Sequence, residues 1–339
     1  MRSSYKPPDT ATFNRGQANV GIGTLDAMQR DTAAEQAQAG TSALRGIGLM
    51  CVALVLFSAL DTTAKYIATR SGLPVSQVTW LRFMSQFALV VMTFGFLAVP
   101  RLLYSRKWSH QMLRSFLMLG STMFNFMALK TLRLDQTLTI GFLAPFIVAL
   151  LAGPFLGEWI RWRRMLAIIV GFCGILVVIR PGYASFEVGM IFAGISMACY
   201  AIFILLTRYL ARFDPPEVTI FYSMLAGVFV MAPFAIAEWI WPADAFTWAL
   251  LISTGLWGGL GHYVFILAYR HAPASTLAPF IYFGLITHTT LGYLVFGQLP
   301  DVWTISGAMI VIASGVYLVH REHVTAMERR KAERDPATS

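Results

Sequence analysis

The sequence predicts an all-α integral membrane protein, with ten transmembrane helices in two inverted five-helix repeats and both termini cytoplasmic. Three observations predict this. Ten segments are apolar and long enough to cross a hydrocarbon layer, which takes about 20 helical residues at about 1.5 Å each. The two halves of the chain align at a shift of 140 to 143 residues. Lys and Arg collect in alternate connections, as they do in cytoplasmic loops.

Composition sets the class. Of the 339 residues, 57% are hydrophobic and 13% charged, whereas a soluble domain carries roughly a quarter charged residues. The outer surface therefore faces lipid. The net charge of +9 is dispersed between apolar segments, so it marks topology and not nucleic-acid binding, which needs a basic patch. Cys51, Cys173 and Cys199 all fall inside apolar segments, which argues against a disulfide framework or a cysteine metal cluster. No cofactor or metal is expected. The expected partners are a small organic solute and the lipid bilayer of the cell (inner) membrane, and a homodimer is compatible with the sequence.

Residues 1–43 are polar, lack hydrophobic periodicity and carry no cleavable signal peptide; they read as a disordered cytoplasmic tail, with Met28 as a second candidate start. The apolar segments follow near 44–68, 75–99, 111–130, 136–156, 163–180, 187–210, 216–240, 246–270, 275–297 and 302–320. Helices of this length satisfy their own backbone in lipid. With the N-terminus inside, the inner connections hold Arg101, Arg106, Lys107 and Arg114, then Arg161, Arg163 and Arg164, then Arg208 and Arg212, then Arg270. The basic cytoplasmic tail, 321–339, adds five more Lys and Arg. The outer connections hold only Arg70, Lys130, Arg133 and Arg180. Trp108, Trp162, Trp239, Trp241 and Trp303 fall near segment ends, where indoles favour the membrane interface.

The repeats, 44–180 and 187–320, are read from matched positions. At a shift of 140, Ala128-Leu129-Lys130 falls on Ala268-Tyr269-Arg270, Phe142 on Tyr282, and Gly157-Glu158 on Gly297-Gln298; at 143, Lys65-Tyr66 falls on Arg208-Tyr209. Each unit has an odd number of helices, so the second must be inverted. Inverted repeats are the architecture of secondary transporters, whose solute site lies near the midplane between the halves.

The run from Pro145 through Glu158 with Gly171 and Gly174 resembles the EamA-type drug/metabolite transporters. So do Ala272-Pro273-Ala274-Ser275 and Ala278-Pro279-Phe280-Ile281-Tyr282 through Phe296-Gly297-Gln298. The resemblance covers about 44–320. It implies a ten-helix metabolite transporter in which the first four helices of each repeat line a cavity and the fifth is scaffold. Gln298 departs from the family's usual Glu, which favours a structural role for Glu158.

Ionisable residues inside membrane helices are costly and mark candidate sites. Asp61 and Lys65 lie one turn apart on the first helix, and Arg82 lies on the second. Asp61 and Arg82 sit at one depth, roughly 12–15 Å below the outer surface, and are expected to pair. Asn125 can bond a ligand or a neighbouring helix. Lys130 and Arg133 either attract an anionic solute or snorkel to headgroups. Gly258, Gly259 and Gly261 allow close helix approach; His262 sits roughly 12 Å above the inner surface, Tyr282 reaches a similar depth on the next helix, and His288 lies deeper. The candidate substrate-binding set is Asp61, Lys65, Arg82, Asn125, His262, Tyr282 and His288. The two histidines suggest coupling to protonation. Candidate lining aromatics include Trp80, Phe124, Phe126, Phe142, Tyr200 and Trp257, which suit planar solutes.

No nucleophile elbow, zinc-protease helix or Walker loop is present in the sequence. The expected function is a secondary transporter working by alternating access, not an enzyme. Riboflavin is the first expected substrate from the resemblance, followed by S-adenosylmethionine and then an amino-acid or amphiphile efflux substrate. The alternative is a membrane-embedded enzyme or sensor using His262 and His288.

Overall fold

The computed structural model describes residues 42, 44–95, 97, 99–144, 146–148, 150–151, 162–180, 187–210, 212–272 and 274–334. These form ten helical elements: α1 (Leu44–Arg70), α2 (Val75–Phe94), α3 (Trp108–Leu129), α4 (Leu134–Val148), α5 (Trp162–Ile179), α6 (Val188–Leu210), α7 (Pro216–Ala237), α8 (Ala245–His271), α9 (274–296) and α10 (Val302–Arg334). A single helical turn, Val99–Leu102, precedes α3. α1, α3, α6, α7 and α8 are long and apolar enough to cross a membrane, and α4, α5, α9 and α10 contain shorter apolar runs. Large apolar side chains such as Phe229, Phe234, Leu260, Ile305 and Met309 point outward, as a lipid-facing surface requires.

Helix ends follow local chemistry. α7 starts behind Pro215 with Pro216 in its first turn, where a missing N–H costs nothing. Asp244 caps α8 by accepting from the Thr247 backbone N–H at 2.7 Å. α9 stops at Gly297, whose φ of 67° is left-handed and whose N–H reaches the Tyr293 carbonyl at 2.8 Å. The glycine of the Phe-Gly-Gln motif is therefore a helix terminator; its matched Gly157-Glu158 lies outside the described residues.

Two differences from the expected elements have physical causes. α9 is not one regular helix: Ala278–Tyr282 is a 3-10 turn between α-helical pieces, where Pro279 supplies no N–H. α4 has a turn at the matching place, Phe142 and Leu143. α10 runs on to Arg334, so most of the basic stretch expected as a tail continues the last helix. Residues 1–41 lie outside the described residues.

The repeat is visible in the packing. A Cβ on Gly46 would meet Ala268 and Ala272, and one on Gly189 would meet Ala128 and Leu132. Gly46 and Gly189 match at a shift of 143, and Ala128 and Leu132 match Ala268 and Ala272 at 140. α1 therefore meets the end of α8 as α6 meets the end of α3. α5 and α10 pack together through Gly171 against Ser314, Gly174 against Val311 and Gly307, and Gly307 against Val178. As one number rises the other falls, so these helices are antiparallel, as inversion requires. Phe142 and Tyr282, a matched pair, touch edge-on with centroids 5.0 Å apart.

Candidate functional site

Three helices converge on Asp61. Leu60, Ala64 and Ile67 of α1 share a core cluster with Val75 and Val78 of α2, Phe126 and Leu129 of α3 and Leu251 of α8. Asp61, one residue or about 100° on, meets polar partners on α3 and α9. Asn125 of α3 donates from Nδ2 to Asp61 Oδ1 at 3.0 Å. His288 of α9 places Nε2 3.1 Å from Asp61 Oδ2. On its far side, His288 Nδ1 lies 2.7 Å from Ser58 Oγ and 2.9 Å from the Gly284 carbonyl. Ser58 also contacts Thr287 Oγ1. His288 is almost fully buried, while the Asp61 side chain keeps 20% exposure. The carboxylate is thus held between the repeats but still accessible.

The expected Asp61–Arg82 ion pair does not form. Arg82 donates from Nη1 to Thr122 Oγ1 at 2.7 Å and lies over the rings of Phe83 and Phe126, at 4.9 and 5.9 Å. Its Nε is buried without a partner. Equal depth did not ensure pairing because rotation about the helix axis sends the two side chains to different neighbours. Gly258 of α8 leaves room beside the guanidinium, 3.4 Å from where a Cβ would stand.

The remaining predicted residues are committed elsewhere. Lys65 is buried and donates to the Leu132 carbonyl at 2.5 Å, fastening α1 to the α3–α4 turn. Tyr282 packs on Phe142 and against Gly315 of α10. His262 meets the Phe57 ring edge-on at 5.0 Å, so both histidines lean on one stretch of α1, Phe57 to Asp61. Among the described residues no group of three His, Cys, Asp or Glu could hold a metal. Two aromatics expected to line a cavity stack on other rings instead, Phe124 on Phe192 and Tyr200 on Phe203.

Arg114 belongs to no loop. It is buried inside α3, where Nε donates to Thr207 Oγ1 at 2.7 Å and Nη1 donates to the Thr219 carbonyl at 2.9 Å and Ser223 Oγ at 2.6 Å. Ser223 lies near the position matching Arg82 in the other repeat, allowing for a shorter loop there. The same rule that singled out Arg82 applies to Arg114, since it falls within the predicted segment 111–130. Ser58 and Thr122 were also missed; small hydroxyls on helices carry no sequence signal of their own.

The helix connections are tied by carboxylates. Asp214 accepts from Ser105 Oγ at 2.5 Å, the Arg106 N–H at 2.9 Å and Gln111 Nε2 at 2.9 Å. Burial pushes its pKa up, but these donors outweigh it and hold the carboxyl below its usual range. Asp301 accepts from the Thr304 N–H, pairs with Arg180 and lies 3.6 Å from Arg133. Burial again pushes upward, yet Thr304 and the two arginines bring Asp301 down to about 2. Arg133 also pairs with Asp135 at 3.2 Å, so it is a staple between helix ends and not a free charge.

Known proteins place this architecture. The EamA-like transporter family model matches residues 44–180 and 187–320. An S-adenosylmethionine uptake transporter of Rickettsia felis is 28% identical over 288 residues, covering 85% of this chain and 96% of the relative. One from Rickettsia bellii is 27% identical over 277 residues, covering 82% and 94%. A riboflavin transporter of Vibrio cholerae is 24% identical over 297 residues, covering 86% and 96%. A solved crystal structure shares the fold, with a TM-score of 0.56 at 20% identity over 83% of this chain and 97% of that one. With both repeats matched, the chain belongs to the EamA-like transporter family and is a multi-pass membrane transporter, not an enzyme.

Proposed function

We propose that this transporter moves a small organic metabolite with a cationic head group across the cell (inner) membrane by alternating access of its two repeats. All ten helices cross the bilayer, and both termini are cytoplasmic. The observation that carries the reading is the Asp61 carboxylate, held by Asn125 and His288 at the junction of the repeats and still 20% exposed. A carboxylate in a membrane interior needs a cationic partner or a function. Arg82, without a carboxylate in hydrogen-bonding reach among the described residues, supports recognition of an anionic group on the same solute.

S-adenosylmethionine carries a sulfonium, an ammonium and a carboxylate, so its charges complement this lining. Riboflavin has no cation to place at Asp61 and ranks second. Both names come from relatives. Uptake of radiolabelled S-adenosylmethionine and riboflavin into proteoliposomes tests the reading. Saturable S-adenosylmethionine flux that Asp61→Asn reduces at least tenfold supports it. Flux of riboflavin alone, or of neither compound, sinks this assignment of substrate.

A further inference from the structure

We propose that the Asp61–His288 bridge is the proton-coupling site of this transporter: it holds one exchangeable proton, and the cationic head of the solute competes with that proton for Asp61. The inference rests on the transport reading above and extends it to the coupling ion.

Hydrogen-bond valence locates the proton. The Gly284 carbonyl only accepts, so a His288 Nδ1 at 2.9 Å from it carries a hydrogen. Ser58 Oγ, 2.7 Å from the same nitrogen, has the Leu54 carbonyl at 2.9 Å as acceptor for its own proton, which leaves its oxygen free to accept from Nδ1. With Nδ1 protonated, a neutral imidazole would turn the Nε2 lone pair toward Asp61 Oδ2 at 3.1 Å. Two acceptors at that distance repel each other. The contact closes only when one further proton lies between Nε2 and Oδ2, as an imidazolium–carboxylate pair or as a carboxylic acid donating to the ring.

The surroundings make this proton depend on Asp61. From α2, the Arg82 guanidinium is engaged by Thr122 Oγ1. From α3, Asn125 donates to the other carboxylate oxygen. On α1, Lys65 lies one turn away with its ammonium engaged by the Leu132 carbonyl. From α8, His262 stands against Phe57. From α4, Leu134 and Leu138 approach Gly292 and Gly284 of α9, and Asp135 is tied to Arg133. Asp61 is thus the carboxylate in contact with His288 among the described residues. When an ammonium or sulfonium takes Asp61, the imidazolium loses its counter-charge and gives its proton to water. The bridge between α1 and α9 then opens. One proton leaves the site as one positive head group occupies it, so solute and proton are exchanged, not carried together.

The repeats differ here. At the shifts that relate them, Asp61 matches Ile204 and His288 matches Val148; Val148 belongs to an apolar core cluster and Ile204 packs against it. The fold does not require this polar bridge, since its counterpart is hydrocarbon.

Proteoliposomes holding a pH dye, with the membrane potential clamped at zero by potassium and valinomycin, test the exchange. Influx of S-adenosylmethionine should alkalinise the lumen, and an inside-acid gradient should raise its uptake several-fold. Transport that ignores the gradient while counterflow proceeds, or influx that acidifies the lumen, overturns the proposal and leaves the transport reading standing. If S-adenosylmethionine shows no counterflow either, the substrate assignment fails, and the bridge is judged by nitrogen-15 NMR of histidine-labelled protein in liposomes. The His288 resonances, identified by their loss in His288→Gln, should show a protonated Nδ1 and shift in Asp61→Asn. An unprotonated Nδ1 in the wild-type protein overturns the proposal.

Discussion

Replacing Arg82 with Met separates a functional cation from a structural pin. Arg82 is 3% exposed, so its charge is desolvated, at an effective cost of several kcal/mol. Against that stand one charge-assisted hydrogen bond to Thr122, worth about 1.5–3 kcal/mol, and contacts with two rings, worth about 0.5–2 kcal/mol. Among the described residues no carboxylate lies within ion-pair distance of it, and its Nε is unmatched. Methionine fills a similar volume without a charge, and among the described residues the only hydrogen bond it removes is the one Thr122 Oγ1 accepts. The balance predicts a protein more stable by about 1 kcal/mol or more, since apolar replacement of buried charges is often neutral to stabilising. At about 2–4 °C per kcal/mol, the Tm in detergent should rise by at least about 2 °C, while uptake of S-adenosylmethionine falls more than tenfold. Thermal unfolding followed by size-exclusion chromatography, with uptake measured on the same preparation, reads both. A Tm lowered by about 3 °C or more would refute this reasoning and make Arg82 a pin between α2 and α3.

Arg114→Met should act in the opposite direction, because three acceptors from α6 and α7 lose their donor; a loss of about 1–3 kcal/mol appears as a lower Tm. Gly189→Val places a Cβ into Thr131, Leu132 and the Ala128 carbonyl; it should cost about 1–3 kcal/mol, and Gly46→Val at the matched crossing should cost a similar amount, both read as reduced detergent-extractable monodisperse protein. Asp301 has a depressed folded-state pKa, so its contribution is present above the unfolded value of about 4 and is lost as pH falls toward about 2. The wild-type Tm should therefore drop across that window, and Asp301→Asn, measured by the same melting assay, should have a lower Tm at neutral pH and a shallower drop.

The repeat was the most legible feature. The shifts of 140 and 143 residues came from matched residues alone, and the structure returns them as matched contacts, Gly46 with Ala272 and Gly189 with Leu132. The polar positions were legible as a set, because an ionisable side chain in an apolar run is conspicuous at any helix rotation. Their partners were not. Depth along a helix follows from counting residues, but azimuth is decided by which neighbours pack, and the Leu60, Ala64 and Ile67 face of α1 settled that for Asp61. Tyr282 shows the same limit: its place in the chain suited a cavity, whereas its ring lies on Phe142 and Gly315. Arg114 was assigned to a connection because topology counting treats every arginine near a helix end as a loop charge. Moving it into α3 leaves Arg101, Arg106 and Lys107 in that connection, so the charge bias stands.

The contact between Phe142 and Tyr282 has a particular standing in a molecule made of two related halves. Each residue is the counterpart of the other, so exchanging the conformations of the halves carries this contact onto itself. Most inter-repeat contacts lack that property; the Asp61–His288 contact, for one, would be carried onto Ile204 and Val148. In the proposed cycle, a self-mapped aromatic pair behaves as a fulcrum. The cytoplasmic and outer halves can open in turn around it while its centroid distance stays near 5.0 Å. Spectroscopic labels flanking this pair should therefore report an unchanging distance under conditions that move labels on α1 and α9 apart.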